Sequence, residues 1–245
     1  MPEIPILALT ATATPAVVED IQRQLQFRTP NVYKMSFARA NLSYIVRRTM
    51  DKEAELLHIL RQTSGSSIVY TRSREATREL AKMLMQQGIS ATWYHAGLES
   101  SVKEERQNLW QTDKVRVMVA TNAFGMGIDK PDVSMVIHPD APNSIEEYFQ
   151  EAGRAGRDGN QAYAVLLYEE DDAYKLKCRV ASSFPEKELI RTIYDQIAYF
   201  FVVGVGCGAG HTFEFSLERF CRAYRHFPTQ VHTSLELLQR AGYIY

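Results

Sequence analysis

Short apolar segments alternate regularly with helical segments through the middle of the chain, and this alternation constrains the fold more than any other feature. The predicted strands are 67–70, 91–94, 115–120, 134–138 and 162–168, and the predicted helices between them are 52–62, 74–87, 101–110 and 144–155. The strands are continuous runs rich in Val, Ile and Met, which indicates burial on both faces. The pattern therefore predicts an α/β fold, a parallel sheet with helices on both faces.

The two ends of the chain follow other patterns. Near the start, 4–9 is predicted as a buried strand, and Thr14 and Pro15 as the N-cap and first residue of a helix to about Leu25. A chain that opens so close to a core strand is expected to begin inside a domain. Further strand candidates are 31–36 and 42–47, and the helices predicted towards the end are 170–180, 185–201, 216–224 and 229–241, with a glycine-rich connection at 203–210.

Composition excludes several classes of protein. The net charge is −1 over 245 residues, so any nucleic-acid surface must be local. Three irregularly spaced cysteines argue against a disulfide framework and fit a reducing compartment. The start lacks the layout of a signal peptide, and no apolar run approaches the roughly 20 residues of a membrane span. We therefore expect a cytoplasmic protein with no membrane association.

Several polar residues follow directly on predicted strands. Ligands of parallel sheets bind at the carboxyl ends of the strands, where these residues would share one edge. They are Thr71, Arg72 and Ser73 after one strand, His95 after the next, and Thr121 and Asn122 after the third. His95 taken alone is more typical of a packed histidine than of a functional one.

Two arginines three positions apart, Arg154 and Arg157, lie at the end of the helix predicted to begin at Asn143 as N-cap. They belong to the segment 150–157, whose sequence is QEAGRAGR. Its glycines break the helix and allow close approach of a ligand, and paired guanidinium groups suit multidentate contact with phosphate. Helix capping, or pairing with surface carboxylates such as Glu147 or Asp158, is the alternative.

The loop 121–132, with sequence TNAFGMGIDKPD, contains Gly125 and Gly127 two positions apart. This spacing permits a tight loop with exposed backbone N–H groups that can grip phosphate. The Thr121 hydroxyl would hold a nucleic-acid phosphate, and Asp129 would accept from a ribose hydroxyl or orient Arg157. The alternative is a structural loop with Asp129 in a turn.

Six segments together resemble the C-terminal motor lobe of superfamily-two helicases, and in particular the RecQ family of DNA helicases. They are 8–12 (ALTAT), 36–42 (SFARANL), 67–73 (SIVYTRS), 94–98 (YHAGL), 119–131 (VATNAFGMGIDKP) and 148–159 (YFQEAGRAGRDG). The resemblance covers residues 6–175. DEAD-box RNA helicases are the near neighbours, but they tend to have HRIGR in the last motif, where this chain has Gln150, Glu151 and Arg154.

The resemblance implies a RecA-like fold and a role for each motif. Arg154 and Arg157 would contact the triphosphate of ATP, one of them as an arginine finger, and Gln150 would couple nucleotide state to lobe closure. Asp129, Lys130 and Gly127 would lie at the ATP cleft. Single-stranded DNA would run along Thr71, Arg72, Ser73, His95, Thr121 and Asn122. The implied domains are 1–30, the end of a first lobe; 31–182, the second lobe; and 183–245, a helical, partly winged-helix-like region.

Half of the expected ATPase chemistry is absent from the sequence. There is no Gly-Lys dipeptide for a phosphate-binding P-loop and no Asp-Glu dipeptide for a box that holds Mg²⁺. We expect a piece of a longer protein that begins at the segment 8–12, which corresponds to the third motif of these helicases. Such a piece would be inactive alone and would require a missing N-terminal lobe to bind ATP and Mg²⁺. A stand-alone nucleic-acid-binding module is the alternative.

The tail departs from the family, many members of which carry a four-cysteine zinc site. Cys178, Cys207 and Cys221 form no C-x-x-C pair, and Cys207 with His211 is the only conceivable ligand pair, so we predict no zinc. Segment 216–245 is predicted as a helix-turn-helix that leads into a wing strand. It would bind duplex DNA through Arg222, Arg225 and Gln230, or it is a structural or protein-binding helix pair.

Overall fold

A computed structural model describes residues 6–10, 12–29, 31–36, 38–125, 128–204 and 206–245. The chain forms two compact units, Met1–Glu169 and Glu170–Tyr245. The units divide before a helix, Asp171–Ser183, that contacts another helix of the second unit, Pro228–Arg240. The division therefore lies earlier than the predicted boundary at 182.

The first unit is built on one six-stranded parallel sheet. Its elements are α1 (Pro15–Gln24), β1 (Leu42–Arg48), α2 (Lys52–Gln62), β2 (Ser66–Tyr70), α3 (Arg74–Gln86), β3 (Ala91–Tyr94), α4 (Ser100–Gln111), β4 (Val117–Ala120), β5 (Val133–His138), α5 (Ile145–Ala152) and β6 (Ala162–Tyr168). The strand order is β1-β6-β5-β2-β4-β3, and all neighbours are parallel. The predicted α/β fold is confirmed.

The sheet separates two hydrophobic cores. Ile68 of β2 packs with Trp110 and Phe124 on one side, and the next residue, Val69, packs with Leu60 and others on the other side. This alternation follows from strand geometry, in which successive side chains point to opposite faces. Because both faces are covered, the central strands β2, β4 and β5 are buried at nearly every position and carry mostly apolar residues, whereas the edge strand β1 is largely exposed.

Two predicted strands are wrong. Residues 6–9 and 31–36 form no strand, and among the described residues no neighbouring strand pairs with them. Leu7 and Leu9 are 80% and 85% exposed, and Tyr33 is 90% exposed. Apolar composition alone does not make a strand, because the backbone also needs partners for its hydrogen bonds; residues 4 and 5 lie outside the described residues.

The helix starts are set by side-chain caps. Thr14 caps α1 ahead of Pro15, as predicted. Helix α5 is capped by Ser144 rather than by the predicted Asn143: the Ser144 hydroxyl accepts from the Glu147 N–H at 3.0 Å. The Glu147 carboxylate in turn accepts from the Asn143 N–H at 2.7 Å, a reciprocal arrangement close to a capping box. The Asn143 side chain instead accepts from Arg72.

The second unit is a small helical bundle. Its helices are α6 (Asp171–Ser183), α7 (Lys187–Phe200), α8 (Leu217–Tyr224) and α9 (Pro228–Arg240). Ile193, Phe220 and Val231 are fully buried at its centre. Residues 241–245 form no strand where a wing was expected to begin. None of the described helices is long and apolar enough to cross a membrane.

Candidate nucleotide and nucleic-acid site

The loops that follow β2, β3 and β4 meet at the carboxyl edge of the sheet, as the sequence predicts. The Thr71 N–H donates to the Ala120 carbonyl at 2.8 Å, and the Thr121 N–H donates to the Tyr94 carbonyl at 3.2 Å. Thr71 is buried, and its hydroxyl has no partner within the described part of the chain. The fold therefore brings Thr71, Thr121 and the residue after Tyr94, His95, to one edge.

Arg154 lies in the turn after α5 and reaches back to the loop after β4. Its Nη1 donates to the Gly125 carbonyl at 2.7 Å, while its Nε is buried without a partner in the described residues. A side chain at position 125 would overlap the Arg154 guanidinium, so this approach requires a glycine. The Tyr70 hydroxyl donates to the preceding carbonyl, that of Phe124, at 2.9 Å. A half-buried guanidinium whose Nε has no partner in the described residues is suited to take up an anion.

Arg157 pairs with Asp129 across the same region. Its Nη1 lies 3.0 Å from Asp129 Oδ1 and also donates to the Ile128 carbonyl at 3.2 Å. This is the geometry in which Asp129 orients Arg157. The Arg157 side chain is 36% exposed and the Asp129 side chain 88% exposed, so both remain accessible to a ligand. Gly127, expected at the same site, lies outside the described residues.

The turn that carries both arginines, residues 153–157, is named the arginine turn here. It is held by the segment 36–42, to which the sequence alone assigned no role. Arg39 donates to the carbonyls of Gly153 and Gly156, and Asn41 donates to the carbonyl of Gly156 at 2.6 Å and to that of Asn160 at 2.8 Å. Gly156 adopts a left-handed φ of 64°, which favours glycine. The motif 36–42 thus clamps the backbone between Arg154 and Arg157. The sequence signal that could have indicated this clamp is an arginine and an asparagine two positions apart within one of the six segments that carry the resemblance.

Gln150 directly contacts the segment 8–12, the third motif of these helicases. Its Nε2 donates to the Thr12 hydroxyl at 2.8 Å, and both residues belong to the first unit. Gln150 is exposed on α5, one turn before Arg154. A contact between these two motifs is consistent with a side chain that senses the position of the segment carrying Thr12.

Lys130, expected at the nucleotide cleft, is instead held in protein contacts, and its place at the cleft stays a prediction. It is 6% exposed, and its Nζ lies 2.9 Å from Asp113 and 3.0 Å from Asp132. These carboxylates precede β4 and β5, and the arginine turn reaches the same region, where the Gly156 N–H donates to the Val133 carbonyl at 2.8 Å. Burial acts to lower the pKa of Lys130, but hydrogen bonds from Lys130 to the two carboxylates outweigh it and raise that pKa. Lys130 is a buried structural cation.

His95 lies inside a cluster of positive charge. Partial burial, then Arg74, Arg106, Lys103 and Arg78, hold the pKa of His95 below its usual value. Arg74 packs over Gly97, and the Arg106 guanidinium stacks 3.7 Å from the centre of the Trp93 ring and donates to the Trp93 carbonyl. Within the described chain none of these four cations forms an ion pair with a carboxylate.

We name these five side chains the basic cluster: His95, Arg74, Arg78, Lys103 and Arg106. Sequence reasoning found only His95, because the four cations are spread over α3 and α4 and converge only in the fold. These cations converge around His95 and form no ion pair among the described residues, although the Glu105 charge acts on Arg106, and on a chain of nearly zero net charge they form a local surface suited to phosphodiester groups.

Other residues predicted to bind DNA are engaged in protein contacts. Arg72 donates to the Ala141 carbonyl at 2.8 Å, Asn122 donates to Glu147 at 2.9 Å, and the Ser73 hydroxyl caps α3. With Thr71, the first two line a cavity of about 60 Å³ between β2 and β5. Their contribution to nucleic-acid binding stays a prediction.

The predicted site residues of the tail lie in or next to α8 and α9; Arg222 and Arg225 are exposed, and Gln230 is half-buried. Arg222 pairs with Glu218 on its own helix at 2.7 Å, Arg225 ends α8 with a left-handed φ of 56°, and Gln230 lies in the first turn of α9. Cys178 and Cys207 are exposed and Cys221 is buried. No group of three or more potential metal ligands occurs among the described residues; the absence of zinc stays a prediction.

The fold and the arginine turn together define the C-terminal motor lobe of a superfamily-two helicase. The helicase conserved C-terminal domain family matches residues 51–159. The DEAD-box protein SrmB of E. coli, solved with regulator of ribonuclease activity A, superimposes with a TM-score of 0.52 at 32% identity, over 61% of this chain and 89% of that chain.

Within that class the chain belongs to the RecQ family. It is 48% identical over 172 residues to the ATP-dependent DNA helicase RecQ of Pasteurella multocida, which covers 70% of this chain and 27% of the relative. It is 41% identical over 202 residues to the putative ATP-dependent DNA helicase Q1 of Caenorhabditis briggsae, covering 80% of this chain and 32% of the relative. The chain thus spans less than a third of the length of these relatives.

Proposed function

We propose that this chain is the second motor lobe of an ATP-dependent DNA helicase that moves 3′ to 5′, and that it completes an ATP site begun by an N-terminal lobe. The observation that supports this most strongly is the arginine turn. Arg154 and Arg157 leave one short backbone segment that Arg39 and Asn41 hold in place, and the Arg154 Nε is buried without a partner in the described residues. Two fixed guanidinium groups on one side of a cleft suit the γ-phosphate of a nucleotide held on the other side.

The reaction divides between the two lobes. The N-terminal lobe would hold the β- and γ-phosphates and Mg²⁺, which offsets phosphate charge when bound. On this chain, lobe closure would bring Arg157 and Arg154 to the γ-phosphate, and Gln150 would report closure through its contact with the Thr12 segment. No residue of this chain is proposed to hold the metal ion.

The basic cluster and the hydroxyls of Thr71 and Thr121 would grip the phosphates of single-stranded DNA. Both groups lie at the carboxyl edge of the same sheet as the loop that contacts Arg154. Closing and opening of the ATP cleft would therefore move the DNA grip with the lobe, and alternation of grips yields directional movement. The tail residues Arg222, Arg225 and Gln230 would add a duplex contact. We propose a cytoplasmic location for the protein.

The test is ATP hydrolysis by the full-length protein, in which the two lobes are joined. Arg157→Ala should lower kcat of DNA-stimulated hydrolysis by on the order of 10³-fold or more, because an arginine at a transferred phosphoryl group acts mainly in the transition state. Arg191→Ala, an exposed arginine of α7, is the matched control and should leave kcat unchanged. Full activity of Arg157→Ala and Arg154→Ala would exclude the proposed role of the turn.

A stand-alone nucleic-acid-binding module is the second candidate, and the basic cluster favours it because this cluster needs no nucleotide. Such a module would bind single-stranded DNA or RNA equally well with and without the N-terminal lobe and ATP. In a helicase lobe the affinity should change with nucleotide state. Binding measured by fluorescence anisotropy, with DNA and RNA of the same sequence, separates these candidates and also tests the DEAD-box-like RNA alternative.

A further inference from the structure

A buried pair of side chains, His138 and Glu151, lies beneath the arginine turn and has no part in the function proposed so far. His138 is the last residue of β5, and Glu151 lies in the last turn of α5. They are 1% and 7% exposed, and His138 Nε2 lies 2.8 Å from Glu151 Oε2. The second ring nitrogen of His138 has no partner in the described residues, so its bond to Glu151 is what fixes the ring. The pair therefore pins the end of α5 to the sheet.

The pinned histidine is packed against the tyrosine that holds the loop after β4. The rings of Tyr70 and His138 stack with centroids 5.5 Å apart and planes at 17°. Tyr148, one turn before Glu151 on α5, packs edge-on against the same imidazole at 4.9 Å. The Tyr70 hydroxyl donates to the Phe124 carbonyl in the loop 121–132. The Tyr70 ring therefore connects the His138–Glu151 pair to this loop.

Arg154 grips the next carbonyl of that loop, at Gly125. Glu151 and Arg154 are three residues apart, so one short segment is anchored to β5 at one end and to this loop at the other. Helix geometry alone does not fix Arg154, because α5 ends at Ala152 and Gly153 follows. Besides the contact of Arg39 with the Gly153 carbonyl, the bond between His138 and Glu151 is the side-chain anchor of the segment that leads to Arg154.

We propose that His138 and Glu151 are positioning residues for Arg154, and that Tyr70 links this position to the loop after β4. The inference rests on the proposed function, in which Arg154 acts on ATP and the β4 loop contacts DNA. Loss of the anchor would let the end of α5 shift, and a misplacement of about 1 Å at a catalytic group can cost on the order of 100-fold in rate. Neither residue touches ATP in this scheme.

The first test compares three variants of the full-length protein by kcat and KM for DNA-stimulated ATP hydrolysis. Glu151→Ala should lower kcat about 10- to 100-fold with KM for ATP changed by no more than about 2-fold, since only transition-state contact is lost. Glu151→Gln should recover most of kcat, because an amide oxygen still accepts from His138. Glu146→Ala, an exposed carboxylate of the same helix, is the control and should behave as the wild type.

The second test separates positioning from a merely structural role. In an Arg154→Ala background, Glu151→Ala should add less than about a 2-fold loss, because the group it positions is already gone. An equal loss in both backgrounds, or an unchanged kcat in folded Glu151→Ala, would overturn the inference. Should Glu151→Ala fail to fold, Tyr70→Phe serves in the same cycle: it keeps the ring against His138 and removes the hydroxyl that contacts the Phe124 carbonyl and Arg154, and an equal loss of kcat in both backgrounds would again overturn the inference. Full activity of Arg154→Ala alone would instead count against the proposed function.

Discussion

At the scale of the residue, the structure separates cations that serve the fold from cations that are available to a ligand. Lys130 is buried between two carboxylates, whereas the cations around His95 form no ion pair in the described chain, although the Glu105 charge acts on Arg106. Lys130 and the basic cluster both lie in or next to segments shared with the family, so the local sequence does not distinguish the structural cation from the accessible ones. Burial and the sign of the neighbouring charges do.

The pKa of His95 tests the basic cluster. Burial and four nearby cations disfavour the imidazolium, so in the free chain this pKa should lie below about 6.5. Arg78→Ala should raise it by removing one repelling charge, and single-stranded DNA should raise it because phosphate favours the charged ring. Titration of the His95 imidazole by NMR measures its pKa in the free chain, in the Arg78→Ala variant and in the presence of DNA. A pKa that DNA does not change would exclude His95 from the phosphate path.

Lys130→Ala should destabilise this chain by on the order of 1–3 kcal/mol, because the buried ammonium lies 5.7 Å from the centre of the Trp110 ring and two carboxylates lose their partner. Lys82→Ala, an exposed lysine of α3, should change the free energy of unfolding by less than about 0.5 kcal/mol. Urea denaturation measures both. Equal changes in the free energy of unfolding for the two substitutions would contradict the assignment of Lys130 as a buried structural cation.

The pH dependence of the Lys130 effect has a definite sign. The hydrogen bond from Lys130, then that from Ser66, holds the pKa of Asp113 below its usual value. A lowered carboxyl pKa contributes stability above the unfolded value of about 3.9, which is lost as pH falls through the folded pKa. The difference between wild type and Lys130→Ala should therefore narrow below about pH 4.

At the scale of the element, the sequence predicts most of the sheet correctly because its central strands β2, β4 and β5 are buried on both faces. The strand 162–168 and the helix 52–62 have their predicted bounds. The segments 6–9 and 31–36 have similar apolar content but no strand partner among the described residues, and pairing is a property of the whole fold. The same limit applies to the site: the loops at the sheet edge follow from strand order, whereas the clamp by Arg39 and Asn41 and the His138–Glu151 pair depend on contacts over long sequence separations.

The cap of α5 provides a test at this scale. Ser144→Ala should cost about 1 kcal/mol of stability, since the Glu147 N–H loses its acceptor. Ser101→Ala, at an exposed position in the first turn of α4 that is not the cap, is the matched control and should be close to neutral. Chemical denaturation of this chain compares the two, and a neutral Ser144→Ala would show that Asn143 supplies the cap after all.

At the scale of the whole molecule, each compact unit has its own hydrophobic core. The two clusters of the sheet and the cluster around Ile193 and Phe220 share no residue. We therefore expect Met1–Glu169 to fold cooperatively without Glu170–Tyr245. Thermal unfolding followed by circular dichroism checks this, and a broad, non-cooperative transition of the shorter chain would show that the sheet requires the helical unit.

The central claim is that this chain completes an ATP site which another lobe begins. The most direct measurement is DNA-stimulated ATP hydrolysis by this chain alone and after addition of a separately produced P-loop lobe of the same protein. We predict no hydrolysis by the chain alone and restored hydrolysis by the mixture, abolished again by Arg157→Ala. Robust DNA-stimulated hydrolysis by this chain alone, or restored activity that survives Arg157→Ala, would contradict the account.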